Sequence, residues 1–424
     1  MNFRKLCESK FLKNTSWIMV AQVYQMIVSL IIGVICARYL GPSNYGTISL
    51  GASYIAFFTI ISAFGLDSIV IKDIIKHRKI EGKLLGTSIG IRIIIGLLSI
   101  ITVMIVIMLF NPNDTILLTV TCLQSLVLFF NAFHIIEVWY QSHLNSKIPA
   151  IVKCIAYTVM SLYKILILLN NKSVEWFAFS TSLDSLLIAV LLCYYYKKDS
   201  NRRLQFNKYL VTSLVNKSYH LVIAYIMVAI YCQMDRIMIG KMVDQYSVGI
   251  YSAAATICHL WLFIPQAVTN SASPMIIELH NKDNILFIKR LKQLIMVVIA
   301  IGLLFIGTII LFKELIVSLL FGTEYAAAID VIPYLALGTF FSSISYPRSI
   351  WLICKNFQKY NKYIVLCGVF TNLILNIILI QYIGIKGAAI ATVVTEAVTC
   401  FVAPLFIKDI RVFVGYIFAS IRIR

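Results

Sequence analysis

Apolar stretches of twenty or more residues, separated by short polar breaks, succeed one another along almost the whole chain. About twelve can be marked, at approximately 15–37, 47–70, 84–110, 115–140, 148–169, 174–196, 218–240, 249–276, 292–312, 329–353, 363–383 and 387–407. Each approaches the roughly 20 residues that a helix needs to cross the hydrocarbon of a bilayer. Little is left over for a soluble domain. The longest polar break, YYYKKDSNRRLQFNK (Tyr194 to Lys208), leaves about six runs on either side. The pattern therefore predicts an all-α integral membrane protein of about twelve transmembrane helices in two six-helix lobes, residues 1–200 and 201–424. An even number per lobe means that both halves enter the membrane from the same face, as parallel repeats do. YGTISLGAS (Tyr45 to Ser53) is echoed by VGIYSAAAT (Val248 to Thr256) at the matching place in the second half.

Composition agrees, with 60% hydrophobic and 13% charged residues and a mean hydropathy of +0.88. The net charge of +19 would suggest nucleic acid in a soluble chain. Here 27 of the 37 lysines and arginines fall on one set of alternate connections, only 5 on the other and 5 inside runs. By the positive-inside rule, this bias places both termini and the basic connections in the cytoplasm, facing anionic membrane lipid. No nucleic-acid partner is expected. The basic start (Arg4, Lys5, Lys10, Lys13) precedes an apolar run too long for a signal peptide, so the first run is read as an uncleaved span. The ten cysteines are scattered without C-x-x-C or metal spacing and read as small packing residues; no metal site or cofactor is expected.

One polar break is unusual. RYLGPSNYG (Arg38 to Gly46) joins two runs through Gly, Pro and Asn, residues suited to a tight helix-to-helix turn. Together with FGLDSIVIKDIIKH (Phe64 to His77), it resembles the first hairpin of the Wzx-type O-antigen and polysaccharide flippases. DRIMIGKMVDQYSVGIYSAA (Asp235 to Ala254), LWLFIPQAV and SASPMI resemble that family's seventh and eighth spans, and GIKGAAIATVVTEA (Gly384 to Ala397) its last.

The resemblance implies the fold shared with the MATE exporters, two six-helix lobes around a central cavity opening alternately to either side. It also implies a cargo of undecaprenyl-pyrophosphate-linked oligosaccharide, such as an O-antigen repeat unit for lipopolysaccharide, moved across a bacterial inner membrane from the cytoplasmic to the periplasmic leaflet. A polysaccharide polymerase and a chain-length regulator are its implied partners. The physical task is to carry a pyrophosphate and several sugars across about 30 Å of hydrocarbon while the prenyl tail stays in lipid.

Charges inside apolar runs cost about 2.5–3.5 kcal/mol each on insertion scales, so they need a cavity, a partner or an interface. Arg92, Lys153, Lys164, Arg236 and Arg348 are the candidates for holding a pyrophosphate. Lys153 and Lys164 are three helical turns apart on one run. Snorkelling to the interface is the competing reading for Lys164, Lys153, Arg92 and Arg348. Gln22 and Gln25, with Ser29, form a polar stripe suited to sugar hydroxyls, as does Asn131 with His134, Glu137 and Gln141 at helical spacing. Both stripes equally suit helix packing. Glu396, amid the threonines of TVVTEAVTC, is the first candidate for coupling to H+ or Na+, followed by Asp235 and Glu137; Asp184 is ambiguous. Pro265 and Pro274 would kink the eighth run.

Three other classes compete. A MATE-type cation-coupled exporter of small molecules would share the fold, but the intramembrane lysines and arginines favour an anionic cargo. A major-facilitator carrier would also have two six-span halves, yet the break after the second run lacks G-x-x-x-D-R-x-G-R-R. A membrane glycan polymerase or ligase would need a catalytic surface, and the chain shows no long outer loop, no paired carboxylates at glycosyl-transfer spacing and no Ser, His and Asp arrangement.

Overall fold

The computed structural model describes residues 10–200 and 202–421. The terminal cations Arg4, Lys5, Arg422 and Arg424, and the side chains of Lys10 and Lys13, lie outside the described residues. Every regular element among the described residues is helical. The main ones are α1 (Lys10–Ala63), α2 (Leu66–Lys76), α3 (Glu81–Phe110), α4 (Thr115–Ser125), α5 (Ile135–Ser142), α6 (Lys147–Leu169), α7 (Val174–Asp199) and α8 (Lys208–Met242). They continue with α9 (Gln245–Leu260), α10 (Phe263–Lys282), α11 (Asn284–Leu320), α12 (Ile332–Ser343), α13 (Ser345–Cys354), α14 (Asn361–Ala397) and α15 (Arg411–Ile421).

Among the described residues eight helical stretches are long and apolar enough to cross a bilayer, or nine if one bent pair is a single span, against the roughly twelve expected. The difference comes partly from where helices break. The first stretch runs 61 residues and the last 49. At about 1.5 Å per residue, either is far longer than the hydrocarbon is thick. The first breaks inside RYLGPSNYG, where Gly41 has φ 69° and ψ 169° and is followed by Pro42. A positive φ is cheap only for glycine, and proline cannot donate the next intrahelical bond. The last breaks at Ile383 and Gly384. The stretch Gln245–Lys282 is interrupted at Trp261 and Leu262, one turn before Pro265, whose ring excludes the carbonyl four residues back. Pro274 lies within α10.

The helices are apolar outward and small or polar inward, the arrangement expected when lipid rather than water is the solvent. On α3, Ile94, Leu98, Ile101, Ile105 and Met108 are exposed at spacings of three and four, whereas Ser88, Arg92, Gly96, Ser99 and Val103 are buried. The chain divides into two compact units, Met1–Ala229 and Ile230–Arg424. The first is built around Leu66 and Val70 of α2, Leu84 and Leu85 of α3, Trp139 and Tyr140 of α5 and Tyr196 of α7. The second packs Phe287, Leu291 and Ile295 of α11 against Trp351 of α13 and Phe413 of α15.

The polar break near residue 200 lies inside the first unit because its chain is pinned to α3. The Gln205 N–H donates to the Gly82 carbonyl at 3.1 Å, the Asn207 N–H donates to Thr87 Oγ1 at 3.0 Å, and Arg202 donates to the Lys79 carbonyl. Glycine permits this approach, since a Cβ at Gly86 would fall 2.5 to 2.7 Å from the Gln205 main chain.

Candidate functional site

In the first unit, four elements bring two cations and two carboxylates to one polar cavity. Arg92, on the small-residue face of α3, is only 4% exposed. Its Nη2 lies 2.8 Å from Oδ1 of Asp67, in the first turn of α2. Lys153 of α6 places Nζ 2.7 Å from Oε2 of Glu137 on α5. The Glu137 side chain is 13% exposed, that of Lys153 35% and that of Asp67 56%. Each pair is made by one carboxylate oxygen. The other Glu137 oxygen, Nε and Nη2 of Arg92 and Nε2 of His134 are buried with no hydrogen-bond partner, so Arg92 meets Asp67 by charge and proximity rather than by an aligned hydrogen bond.

These groups surround a cavity of about 350 Å³ that Thr59, Ser62, Asn131 and Gln141 also line. A second of about 550 Å³ adds Gln124, Tyr157, Thr181 and Asp184. A third of about 200 Å³ adds Gln22, Gln25 and Ser146 to Glu137 and Lys153. Lys153 lines all three. The Gln25 amide donates to the Tyr157 hydroxyl across α1 and α6. Such a lining presents two cations within a surface rich in amides and hydroxyls, the chemistry that suits an anion attached to a sugar.

Of the sequence candidates, Arg92, Lys153, Gln22, Gln25, Asn131 and Glu137 are thus brought together. Lys164, eleven residues along α6, is half-buried and outside the lining of these cavities. Asp184 lines the larger cavity with Oδ1 buried and unpartnered.

The second unit contains a different arrangement. Asp235, on α8, accepts hydrogen bonds from the Tyr251 hydroxyl at 2.6 Å and the Thr392 hydroxyl at 2.7 Å on Oδ2. Its Oδ1 accepts from the Asn372 and Asn376 amides at 3.0 and 2.7 Å. Among the described residues no lysine or arginine forms an ion pair with it, so four neutral donors carry the stabilisation of the charge. Oδ1 of Asn376 is buried without a hydrogen-bond partner beside this cradle. One turn along both helices comes a second rung, where the Tyr231 hydroxyl of α8 donates to Oε1 of Glu396 on α14 at 2.5 Å.

Arg348 of α13 is 7% exposed and donates from Nη1 to the Thr399 carbonyl at 2.6 Å. That carbonyl belongs to a π-helical turn, Val398–Val402, which follows α14. A wide turn leaves backbone groups without their α-helical partners, and the guanidinium takes up one of them. Arg236 reaches Gln233 at 3.4 Å, and its Nε is buried without a partner.

The partners Asp67, Tyr231, Tyr251, Asn372, Asn376 and Thr392 were not singled out in the sequence. Asn372 and Asn376 left a signal, two amides one turn apart in an apolar run. Asp67 sits inside a quoted motif but shows no periodic link to Arg92.

The pattern of the polysaccharide biosynthesis protein family matches residues 11–280, well over half of the chain. The chain belongs to this family. It is a Wzx-like member of the grouping that includes the MATE transporters, whose family pattern matches residues 221–378. A curated relative from Haloferax volcanii, "Probable low-salt glycan biosynthesis flippase Agl15", is 29% identical over 197 residues. That match covers 44% of this chain and 40% of the relative, so the chain spans well under half of the relative's length in alignment.

Among solved structures, the chain superposes on "Lipid II flippase MurJ, inward closed conformation" with a TM-score of 0.75, covering 95% of this chain and 90% of that one at 16% identity. An inward-facing multidrug resistance MATE family transporter gives a TM-score of 0.67 at 13% identity, over 93% and 96%. The fold of this polysaccharide biosynthesis protein is thus MurJ- and MATE-like, and the protein is a multi-pass membrane protein.

Proposed function

We propose that this protein is a flippase that carries a lipid-linked oligosaccharide from the cytoplasmic to the outer leaflet by alternating access, without covalent catalysis. The observation that carries this reading is the polar cavity of the first unit, in which Arg92 and Lys153 are buried or half-buried among amides and hydroxyls. A pyrophosphate supplies the negative charge that such cations take, and the amides of Gln22, Gln25 and Asn131 suit the sugar that follows. An undecaprenyl tail would remain in the lipid, which keeps the buried volume required of the protein small. Cytoplasmic termini follow from the 27 cations on one set of connections. A bacterial inner membrane, an O-antigen-type repeat unit and a downstream polymerase with its chain-length regulator belong to the same reading.

The family and the names of its relatives support it: the Haloferax volcanii relative is named a glycan biosynthesis flippase, and the MurJ structure is that of a lipid II flippase.

Coupling is assigned to the second unit, at Asp235 with Glu396 on the adjoining rung. A carboxylate surrounded by a hydroxyl pair and two amides, one with a spare buried oxygen, supplies the oxygen ligands that Na+ prefers. A proton would need no such acceptor. Turning the Asn376 amide about its last bond exchanges its donor for its oxygen, so the same residues hold either the empty cradle or the ion.

A deletion strain tests the function. Complete lipid-linked repeat units should accumulate on the cytoplasmic side; accumulation on the outer side would assign the defect to polymerisation instead. The second reading, a cation-coupled exporter of small molecules, has the MATE pattern match at 221–378 in its favour. It would be preferred if the deletion left polysaccharide untouched and sensitised cells to organic cations.

A further inference from the structure

We propose that Glu137 and Asp67 are resident counter-anions, which hold Lys153 and Arg92 while the cavity is empty and which an anionic cargo must displace. This rests on the cavity of the first unit being the cargo site, and it adds how that site lets its cargo go.

A cavity built only to attract an anion would leave its cations free. Here each cation is met by one carboxylate from a neighbouring helix, at 2.7 and 2.8 Å, so the lining carries two positive and two negative side chains and is neutral. The pairing is incomplete in the way a replaceable partner requires. Only one oxygen of each carboxylate is engaged, the second oxygen of Glu137 has no hydrogen-bond partner, and neither has Nε of Arg92. A guanidinium can give two parallel bonds to a phosphate, and this one gives a single contact to Asp67.

A pyrophosphate offers several charged oxygens and satisfies both cations at once. When it leaves, the carboxylates return, and neither cation is stranded unpaired in a low-dielectric site, which is the costly state of a buried charge. Affinity falls by the strength of the pairs that must break, and release is eased by the same amount. The two carboxylates differ in depth. Glu137 is largely withdrawn from solvent and Asp67 is half exposed, so the larger share of the competition falls to Glu137.

The test uses the full chain in lipid nanodiscs, with inorganic pyrophosphate as the probe, titrated calorimetrically at fixed ionic strength. Glu137→Gln keeps the shape and removes the competing charge. It is expected to bind pyrophosphate on the order of tenfold more tightly than the unmodified protein, whereas Lys153→Gln binds on the order of tenfold more weakly. The double variant is expected to fall to the Lys153→Gln level. In cells, Glu137→Gln should lower surface polysaccharide at normal protein level, because the cargo is held too long.

If Lys153→Gln weakens binding and Glu137→Gln leaves it unchanged or weaker, the counter-anion is refuted while the cationic site stands. If the unmodified protein does not bind pyrophosphate, or none of the variants alters binding, the cavity is not the cargo site and the inference falls with it. Should Glu137→Gln fail to accumulate, Asp67→Asn carries the same test at Arg92. A smaller tightening, about threefold, is expected there, and an unchanged or weaker affinity refutes the proposal.

Discussion

A charge withdrawn from water is tolerable only with its compensation in place, and the polar residues of this membrane protein differ in what compensates them. Arg92 and Lys153 each have one carboxylate oxygen, Arg348 has a backbone carbonyl, and Asp235 has four neutral donors. These differences separate their expected mutants. Arg348→Gln leaves the Thr399 carbonyl of the π turn without its partner, an unsatisfied buried acceptor that costs about 1–3 kcal/mol. The variant should therefore melt earlier in detergent and accumulate less, whereas Lys164→Gln, at a half-buried lysine outside the cavity linings, should accumulate normally; equal melting of the two would remove the structural role assigned to Arg348.

At Asp235 the expected effect is ionic. Replacing KCl by NaCl at constant ionic strength should raise the melting temperature of the unmodified protein by several degrees, since a ligand bound only to the folded state stabilises it. Asp235→Asn should show no difference between the salts, and a sodium effect that survives the substitution would place the ion elsewhere. The charged members of these sites could be read from sequence, because a lysine or carboxylate inside an apolar run is conspicuous. Their partners could not: Asp67 and Arg92 are 25 positions apart on different helices, and only packing brings them together.

Helices here are set by apolar runs and stopped by identifiable residues, and sequence showed the first more clearly than the second. The turn at Gly41 and Pro42 was legible because both residues carry their backbone restriction with them. The break at Ile383 and Gly384 falls where the last two apolar runs separate at 383–387, whereas the π turn at Val398–Val402 has no composition of its own. The pinning of residues 202–207 to α3 was also hidden, since the glycines that permit it read simply as small residues of a membrane helix.

That contact has a direct test. Gly86→Ala inserts a Cβ into the Gln205 main chain and should cost about 1–3 kcal/mol while exposing Arg202 and Arg203 to trypsin. Gly307→Ala, on α11 where nothing lies within 4 Å of the added carbon, is the matched control and should be neutral or slightly stabilising. Equal trypsin resistance of both variants would show that the segment is not held by this contact.

At the scale of the whole chain, hydropathy alone determined the class, and the matching family pattern over residues 11–280 agrees with the hairpin motif around Gly41. What hydropathy could not give is the separation of lining from lipid-facing residues, which depends on helix rotation. Lys153 and Lys164 lie on the same helix, and only Lys153 lines the cavities described above. The proposed transport requires that cargo cross by way of that lining. The measurement is flipping by the purified full chain in proteoliposomes that contain a pyrophosphate-linked oligosaccharide on a prenyl carrier, read as the fraction reachable by an impermeant glycosidase over time. The unmodified protein should bring the protected inner-leaflet pool within reach of the enzyme, and Lys153→Gln and Arg92→Gln should each slow this at least tenfold. Exposure no faster than in protein-free vesicles, or equally fast with both variants, would contradict the account.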